Sequence, residues 1–234
     1  MRNLLWKDFW QNSRVLLAVV IVAVGPYVVA LVIGATQYFV SDPSLRSWTG
    51  PGGKACGAGM VLSVILAAFI GATAIAGERV DRSAEFAALL PIARRQSVAS
   101  KAAIGVVSWL VLWMFNAMCV LSITWLIQAA HQTSSSYGVL IDTVLTMTMC
   151  GAVGVLLFGI AWLFSSLLNS PAIAAAAAIG TAATLATAVV SLRELLPKGP
   201  LSTPLLVCLI AIPTVGGLLS FAAGTVISLR RAEL

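Results

Sequence analysis

Few side chains in this 234-residue chain are equipped for chemistry. It has one histidine, His131, and four cysteines, with no CxxC or Cys/His cluster spaced to hold a metal. Cys119, Cys150 and Cys208 fall inside apolar runs and Cys56 at the edge of one, so all four are read as free thiols packed among helices. Asp142 is the one acid inside an apolar run. An intramembrane protease needs a Ser/His pair, two aspartates, or H-E-x-x-H around zinc. Neither His131 nor Asp142 has such a partner in the sequence. Nucleotide hydrolysis needs G-x-x-x-x-G-K-[ST], whose amides surround the phosphates and whose hydroxyl holds Mg²⁺. The only Gly-Lys pair is Gly53-Lys54; Ala55 follows it, and Trp48 stands where the first glycine belongs. The chain is expected to carry no catalytic residue, metal or cofactor of its own.

Two polar patterns suit a pathway better than a reaction. Thr181, Thr184, Thr187 and Ser191 recur at spacings of 3, 3 and 4 in an Ala-rich run, which places their hydroxyls in a narrow arc of a helix. The arc reads either as the mildly polar wall of a pathway or as close helix packing, because small residues let helices approach and Thr bonds across or back to its own helix. Asp142, Thr146, Cys150 and Gly154 repeat at i, i+4. They form either a polar stripe near a substrate portal or an aspartate at the outer headgroup level with small residues packed behind it. Gly216, Ser220 and Gly224 make a small-xxx-small edge, read as helix packing.

The elements that carry these residues follow from composition. Hydrophobic residues make up 60% of the chain and charged residues 9%, against about 25% charged in an ordinary soluble domain. Such a chain is built for lipid. A helix rises about 1.5 Å per residue, so about 20 apolar residues cross the hydrocarbon core. Spans are expected at Val15–Phe39, Gly57–Gly77, Ala102–Gln128, Leu140–Phe164, Ala172–Leu192 and Leu205–Leu229. The runs are continuous rather than alternating, which indicates helices rather than barrel strands. The first run is longer than the 7–15 residues of a signal-peptide core. There is no internal repeat or Pro/Ser-rich linker, so residues 1–234 read as a single transmembrane domain.

The net charge of +6 is no sign of a nucleic-acid partner, because the basic residues do not form one face but lie between the apolar runs. One side gathers Arg2, Lys7, Arg14, Arg79, Arg82, Arg94, Arg95, Lys101, Arg230 and Arg231; the other holds Arg46, Lys54, Arg193 and Lys198. The richer side is expected to be cytoplasmic. Both termini, the Glu78–Lys101 loop and the Ser165–Pro171 turn then face in. Ser41–Cys56, Ala129–Val139 and Arg193–Pro204 face out.

Two connectors depart from this plan. In residues 1–14, Leu5, Trp6, Phe9 and Trp10 share one arc of a helical wheel and Lys7, Gln11 and Arg14 lie opposite, the pattern of an interfacial helix in contact with membrane lipid. The second connector, ERVDRSAEFAALLPIARRQSVASK over Glu78–Lys101, is too long for a simple turn. Glu78, Asp81 and Glu85 favour a helix N-terminus, Asp81 or Ser83 can cap it, and Pro91 ends it. The spacing predicts a short helix over Arg82–Leu89. Phe86, Leu89 and Leu90 on it must pack against either the base of the bundle or a second protein.

This connector resembles the signature loop of type-2 ABC transporter permeases, the membrane subunits of exporter-type ATP-binding-cassette systems. Glu78, Arg82, Ser83, Glu85, Leu89, Leu90, Pro91, Arg94, Arg95 and Lys101 carry the resemblance, with Ala93 where the family usually has serine. The whole plan is similar as well: an all-α membrane protein with an N-terminal interfacial helix, six transmembrane helices and a cytoplasmic coupling helix between spans two and three. The short outer loop Arg193–Pro204 leaves no room for the larger extracellular elements of some relatives. The resemblance implies that two permease subunits, a homodimer or a pair with a related permease, form the pathway. It also implies two separate ATP-binding subunits, carrying ATP and Mg²⁺, docked against Glu78, Arg82, Glu85, Phe86, Leu89, Leu90, Pro91 and Arg94. Span five, with Thr181, Thr184, Thr187 and Ser191, would line the pathway for a hydrophobic or amphipathic cargo, whether lipid, peptide or haem-like. The expected location is the cell membrane, multi-pass, with both termini cytoplasmic. Rival readings are a secondary transporter or channel, which one acid near a span end supports poorly, and a purely structural or regulatory membrane subunit.

Overall fold

A computed structural model describes residues 2–40, 46–80, 94–131, 136–195 and 203–230. The regular structure in them is all helical: α1 (Arg2–Val40), α2 (Arg46–Val80), α3 (Arg94–His131), α4 (Ser136–Leu167), α5 (Pro171–Leu195) and α6 (Thr203–Arg230). Five stretches are long and apolar enough to cross a membrane: Val15–Tyr38, Pro51–Gly77, Arg95–Leu126, Val139–Leu167 and Val207–Arg230. The fifth helix in sequence, α5, has 25 residues, of which Pro171–Thr184 is a shorter apolar stretch. The chain is a multi-pass helical membrane protein, and many exposed side chains of these helices are accordingly apolar, among them Val20, Ile21, Val111, Met118, Ile212 and Leu219.

Two boundaries differ most from the sequence reading. The helix α2 begins at Arg46 rather than Gly57, so most of the expected outer loop Ser41–Cys56 is helical despite Gly50, Pro51, Gly52 and Gly53. Packing overrides propensity there: at Gly52 a β-carbon would lie 3.1 Å from Ile123 Cγ2, so only a residue without one brings α2 this close to α3. Pro51 lies inside the helix, its sixth residue, past the first turn where proline is best tolerated. The second difference is α1, which runs unbroken from Arg2 to Val40, with no boundary at Arg14 between the expected interfacial segment and the first span. Trp6 and Trp10 are both exposed and meet edge to face, ring centroids 6.1 Å apart.

The helices resolve into two compact units. One comprises Gln11–Val64 and Ser108–Gly151. Its core joins Met60, Ala117, Val120 and Met147, with Cys56 and Cys150 packed against them. A buried polar clasp links three of its helices. The Tyr27 hydroxyl of α1 donates to Asn116 Oδ1 of α3 at 2.7 Å, and Asn116 Nδ2 donates to the Leu112 carbonyl at 3.0 Å. Asn116 is fully buried. Gly59 of α2 lies against the clasp: a β-carbon there would meet Tyr27 Oη at 2.5 Å and Asn116 Oδ1 at 2.6 Å. Phe115 packs edge-on to the Tyr27 ring at 5.8 Å.

The other unit comprises Met1–Trp10, Ile65–Val107 and Ala152–Leu234. It is organised by small residues. Ala67, Ala68, Ala72 and Ala76 of α2 are fully buried, and Gly71 lies so near α4 that a β-carbon would be 2.6 Å from the Phe158 carbonyl oxygen. On the contact of α4 with α6, a β-carbon on Gly159 would collide with the Gly217 carbonyl, and one on Gly217 would meet the Val155 carbonyl oxygen at 2.5 Å. Close backbone approach of this kind is how apolar helices gain van der Waals contact in lipid, where no hydrophobic force drives them together. Phe158, Trp162 and Phe221 stack beside it with centroids 5.0–6.2 Å apart. The junction of α4 and α5 is three residues, Leu168–Ser170. Ser170 caps α5, its hydroxyl accepting from the Ile173 amide at 3.5 Å and its carbonyl from the Ala174 amide at 3.0 Å, and Pro171 takes the first helical position.

Candidate functional site

The expected coupling segment hangs between the last turn of α2 and the first turn of α3. Glu78 lies in α2 and Arg94 opens α3; Arg82, Glu85, Phe86, Leu89, Leu90 and Pro91 lie outside the described residues. What the structure gives is therefore the pair of helices that present the segment. Lys101, expected to end the loop, is instead within α3 and buried, next to the fully buried Ser100, whose hydroxyl donates to the Ser97 carbonyl at 2.9 Å. A buried lysine in an apolar helix marks a site by default, because charge is costly away from water.

At the end of α2 the sequence reading missed the main polar tie. The Ser165 hydroxyl of α4, fully buried, accepts hydrogen bonds from two successive backbone amides of α2, Ile75 at 3.1 Å and Ala76 at 2.8 Å. Nearby, Thr73 donates to its own helix, to the carbonyls of Phe69 at 2.9 Å and Ile70 at 3.2 Å. No local pattern in the sequence announces Ser165, since its partners lie 89 and 90 residues away.

The pathway candidates are placed in part. Thr181 is half-buried and donates to the Ala177 carbonyl at 2.6 Å; Thr184 is exposed and donates to the Thr181 carbonyl at 2.8 Å. Thr187 and Ser191 lie on the same helix, with their side chains outside the described set. Back-bonding of this kind recurs at Thr36, Thr143, Thr148, Thr214 and Thr225. It is thus the general response of a hydroxyl in an apolar helix and does not single out α5. The stripe from Asp142 is graded rather than uniform. Asp142 and Thr146 are exposed, Cys150 is half-buried and Gly154 is buried, and the Thr146 hydroxyl donates to the Asp142 carbonyl at 2.8 Å.

Among the described residues, long apolar helices, five stretches of which can cross a membrane, define a multi-pass membrane protein. The chain belongs to the family described as ABC-2 family transporter protein, whose match covers residues 3–192 and so includes the whole Glu78–Lys101 connector. It is an ABC transporter permease, and that membership implies an ATP-binding partner subunit. No curated protein and no solved structure matches the chain.

Proposed function

We propose that the chain is the membrane subunit of an exporter-type ABC system, moving a hydrophobic or amphipathic cargo with ATP hydrolysed, with Mg²⁺, by a separate subunit. The observation that carries this reading is the family match across residues 3–192. In this reading α5 makes a sixth crossing and two permease subunits enclose the pathway. Residues 1–14 anchor at the membrane interface, where the exposed Trp6 and Trp10 rings suit the headgroup level. Thr181, Thr184, Thr187 and Ser191 face the cargo. The hydroxyl protons of Thr181 and Thr184 are already taken by their own helix, which leaves a wall of low polarity that fits such a cargo. The family match favours this reading over a secondary transporter, channel or structural subunit.

The connector would form a short helix seated in the ATP-binding subunit, with Phe86, Leu89 and Leu90 as apolar anchors and Glu78, Arg82, Glu85 and Arg94 as the charged surround. Burying one such apolar side chain is worth about 1.5–3 kcal/mol, enough to make it a hot spot. Phe86→Ala is expected to weaken co-purification of the ATP-binding subunit or to lower ATP hydrolysis in the assembled complex, with membrane insertion intact. Glu85→Ala should act in the same direction. Normal assembly and hydrolysis in both variants would remove the connector as the contact.

The charge asymmetry places both termini and the connector in the cytoplasm of a cell with this protein in its plasma or inner membrane. With the native cysteines replaced, a cysteine at position 97 should be labelled from inside and one at position 134 from outside. Labelling of both from one face would overturn the six-crossing topology.

A further inference from the structure

In an uninterrupted helix the amides of Ile75 and Ala76 serve the carbonyls of Gly71 and Ala72. In α2 both also reach a side-chain oxygen on another helix, Ser165 Oγ, at 3.1 and 2.8 Å. A hydroxyl has two acceptor lone pairs, and here two consecutive main-chain donors use them. Insertion of a side chain into a helix ladder is a recognised cause of local bending. All the groups concerned are enclosed: Ser165 and Ala76 are fully buried and Ile75 nearly so. One turn earlier the same two helices come close through backbone, Gly71 against the Phe158 carbonyl and the Trp162 amide. The contact is therefore sterically tight at Gly71 and hydrogen-bonded at Ile75 and Ala76. Beyond it α2 has only four more residues, Gly77–Val80, before the connector.

We infer that Ser165 is a positioning residue for coupling: its hydroxyl fixes the last turn of α2 to α4, so that force arriving through the connector is delivered to α4 instead of being absorbed by bending or fraying of α2. This rests on the reading that the connector engages an ATP-binding subunit. A neutral hydroxyl suits the task better than a charge, because it accepts two bonds in an apolar contact at small desolvation cost. Serine rather than a longer side chain is required where Gly71 already holds the backbones together.

The test is amide hydrogen exchange on the full chain in lipid nanodiscs, read in the peptide that holds Ile75 and Ala76. Ser165→Ala removes the acceptor; Ser165→Cys nearly keeps the volume but offers a weak acceptor. Both are expected to speed exchange there about fivefold to tenfold, the ratio that loss of one or two hydrogen bonds gives. Ser63→Ala, which removes another buried hydroxyl, one that donates to the Met60 carbonyl of its own helix, should leave that peptide unchanged. Wild-type exchange in either Ser165 variant, or an equal effect from Ser63→Ala, overturns the inference. A second arm uses the complex with its ATP-binding subunit and a non-hydrolysable ATP analogue. Nucleotide should change protection of the α4 peptide containing Ser165's preceding turn in the wild type and not in Ser165→Ala. If the wild type shows no nucleotide effect while the first arm behaves as expected, the coupling reading of the connector fails and the Ser165 tie stands. If nucleotide acts equally on wild type and Ser165→Ala, the positioning role falls.

Discussion

Gly159→Ala is expected to destabilise this protein more than any other single-methyl change in it. The added β-carbon would occupy the position of the Gly217 carbonyl. A carbonyl in α6 cannot swing aside as a side-chain tip can, so α4 and α6 must part along their contact. Overpacking against side chains costs about 1–3 kcal/mol; a backbone collision should exceed that, because separation also loosens the Phe158, Trp162 and Phe221 stack and the seat of Gly224 against Trp162 and Leu163. Gly217→Ala should behave alike. Gly180→Ala is the control, since nothing lies within 4 Å of its β-carbon position, and alanine favours the helix by about 1 kcal/mol over glycine. Thermal unfolding in detergent should show a large drop in Tm for Gly159→Ala and none for Gly180→Ala. Equal Tm values for the two would mean that α4 and α6 do not meet through these glycines.

The second large effect is expected at Gly59. A methyl there would press on Tyr27 Oη and Asn116 Oδ1 together, and would break the hydrogen bond between them. The cost combines overpacking, about 1–3 kcal/mol, with an unpaired buried acceptor, another 1–3 kcal/mol or so. Tyr27→Phe alone should cost about 1–3 kcal/mol, since it leaves the buried Asn116 acceptor unpaired without the collision. It also deletes the oxygen that the new methyl would strike. The Gly59→Ala, Tyr27→Phe double variant should therefore be less destabilised than the sum of the two singles, measured as a double-mutant cycle on Tm. Strict additivity would place the Gly59 methyl somewhere other than beside Tyr27.

The helical class and five of the spans were legible because runs of apolar residues have few other solutions in lipid. The start of α2 was not, since Gly50–Gly53 carries every local mark of a loop, and Ile123, which Gly52 packs against, lies far along the sequence. Counting small residues at i, i+4 found Gly224 but chose Gly216, whose β-carbon would have an ordinary 3.4 Å contact with Leu156, over Gly217, which has the tight one. The tight pair lies seven residues apart, and only the position of Gly159 reveals it. Tyr27, Asn116 and Ser165 escaped for one reason: each bonds across 89 or 90 residues, a distance no spacing rule reaches. The connector was recognised from its residue types, and Arg82–Pro91 lie outside the described residues.

The three-residue junction at Leu168–Ser170 joins α4 and α5 like the pivot of a pair of compasses. Ser170 and Pro171 fix where α5 begins, so a rigid swing of α5 relative to α4 would turn about this junction. Displacement then grows with distance from the pivot. For α5, with 25 residues and hence about 37 Å of length, a swing of about 10° moves the far end by roughly 6 Å. The same swing moves Thr181, about 15 Å along, by less than half as much. Such a swing would move Ser191 about twice as far as Thr181, since displacement scales with distance from the junction.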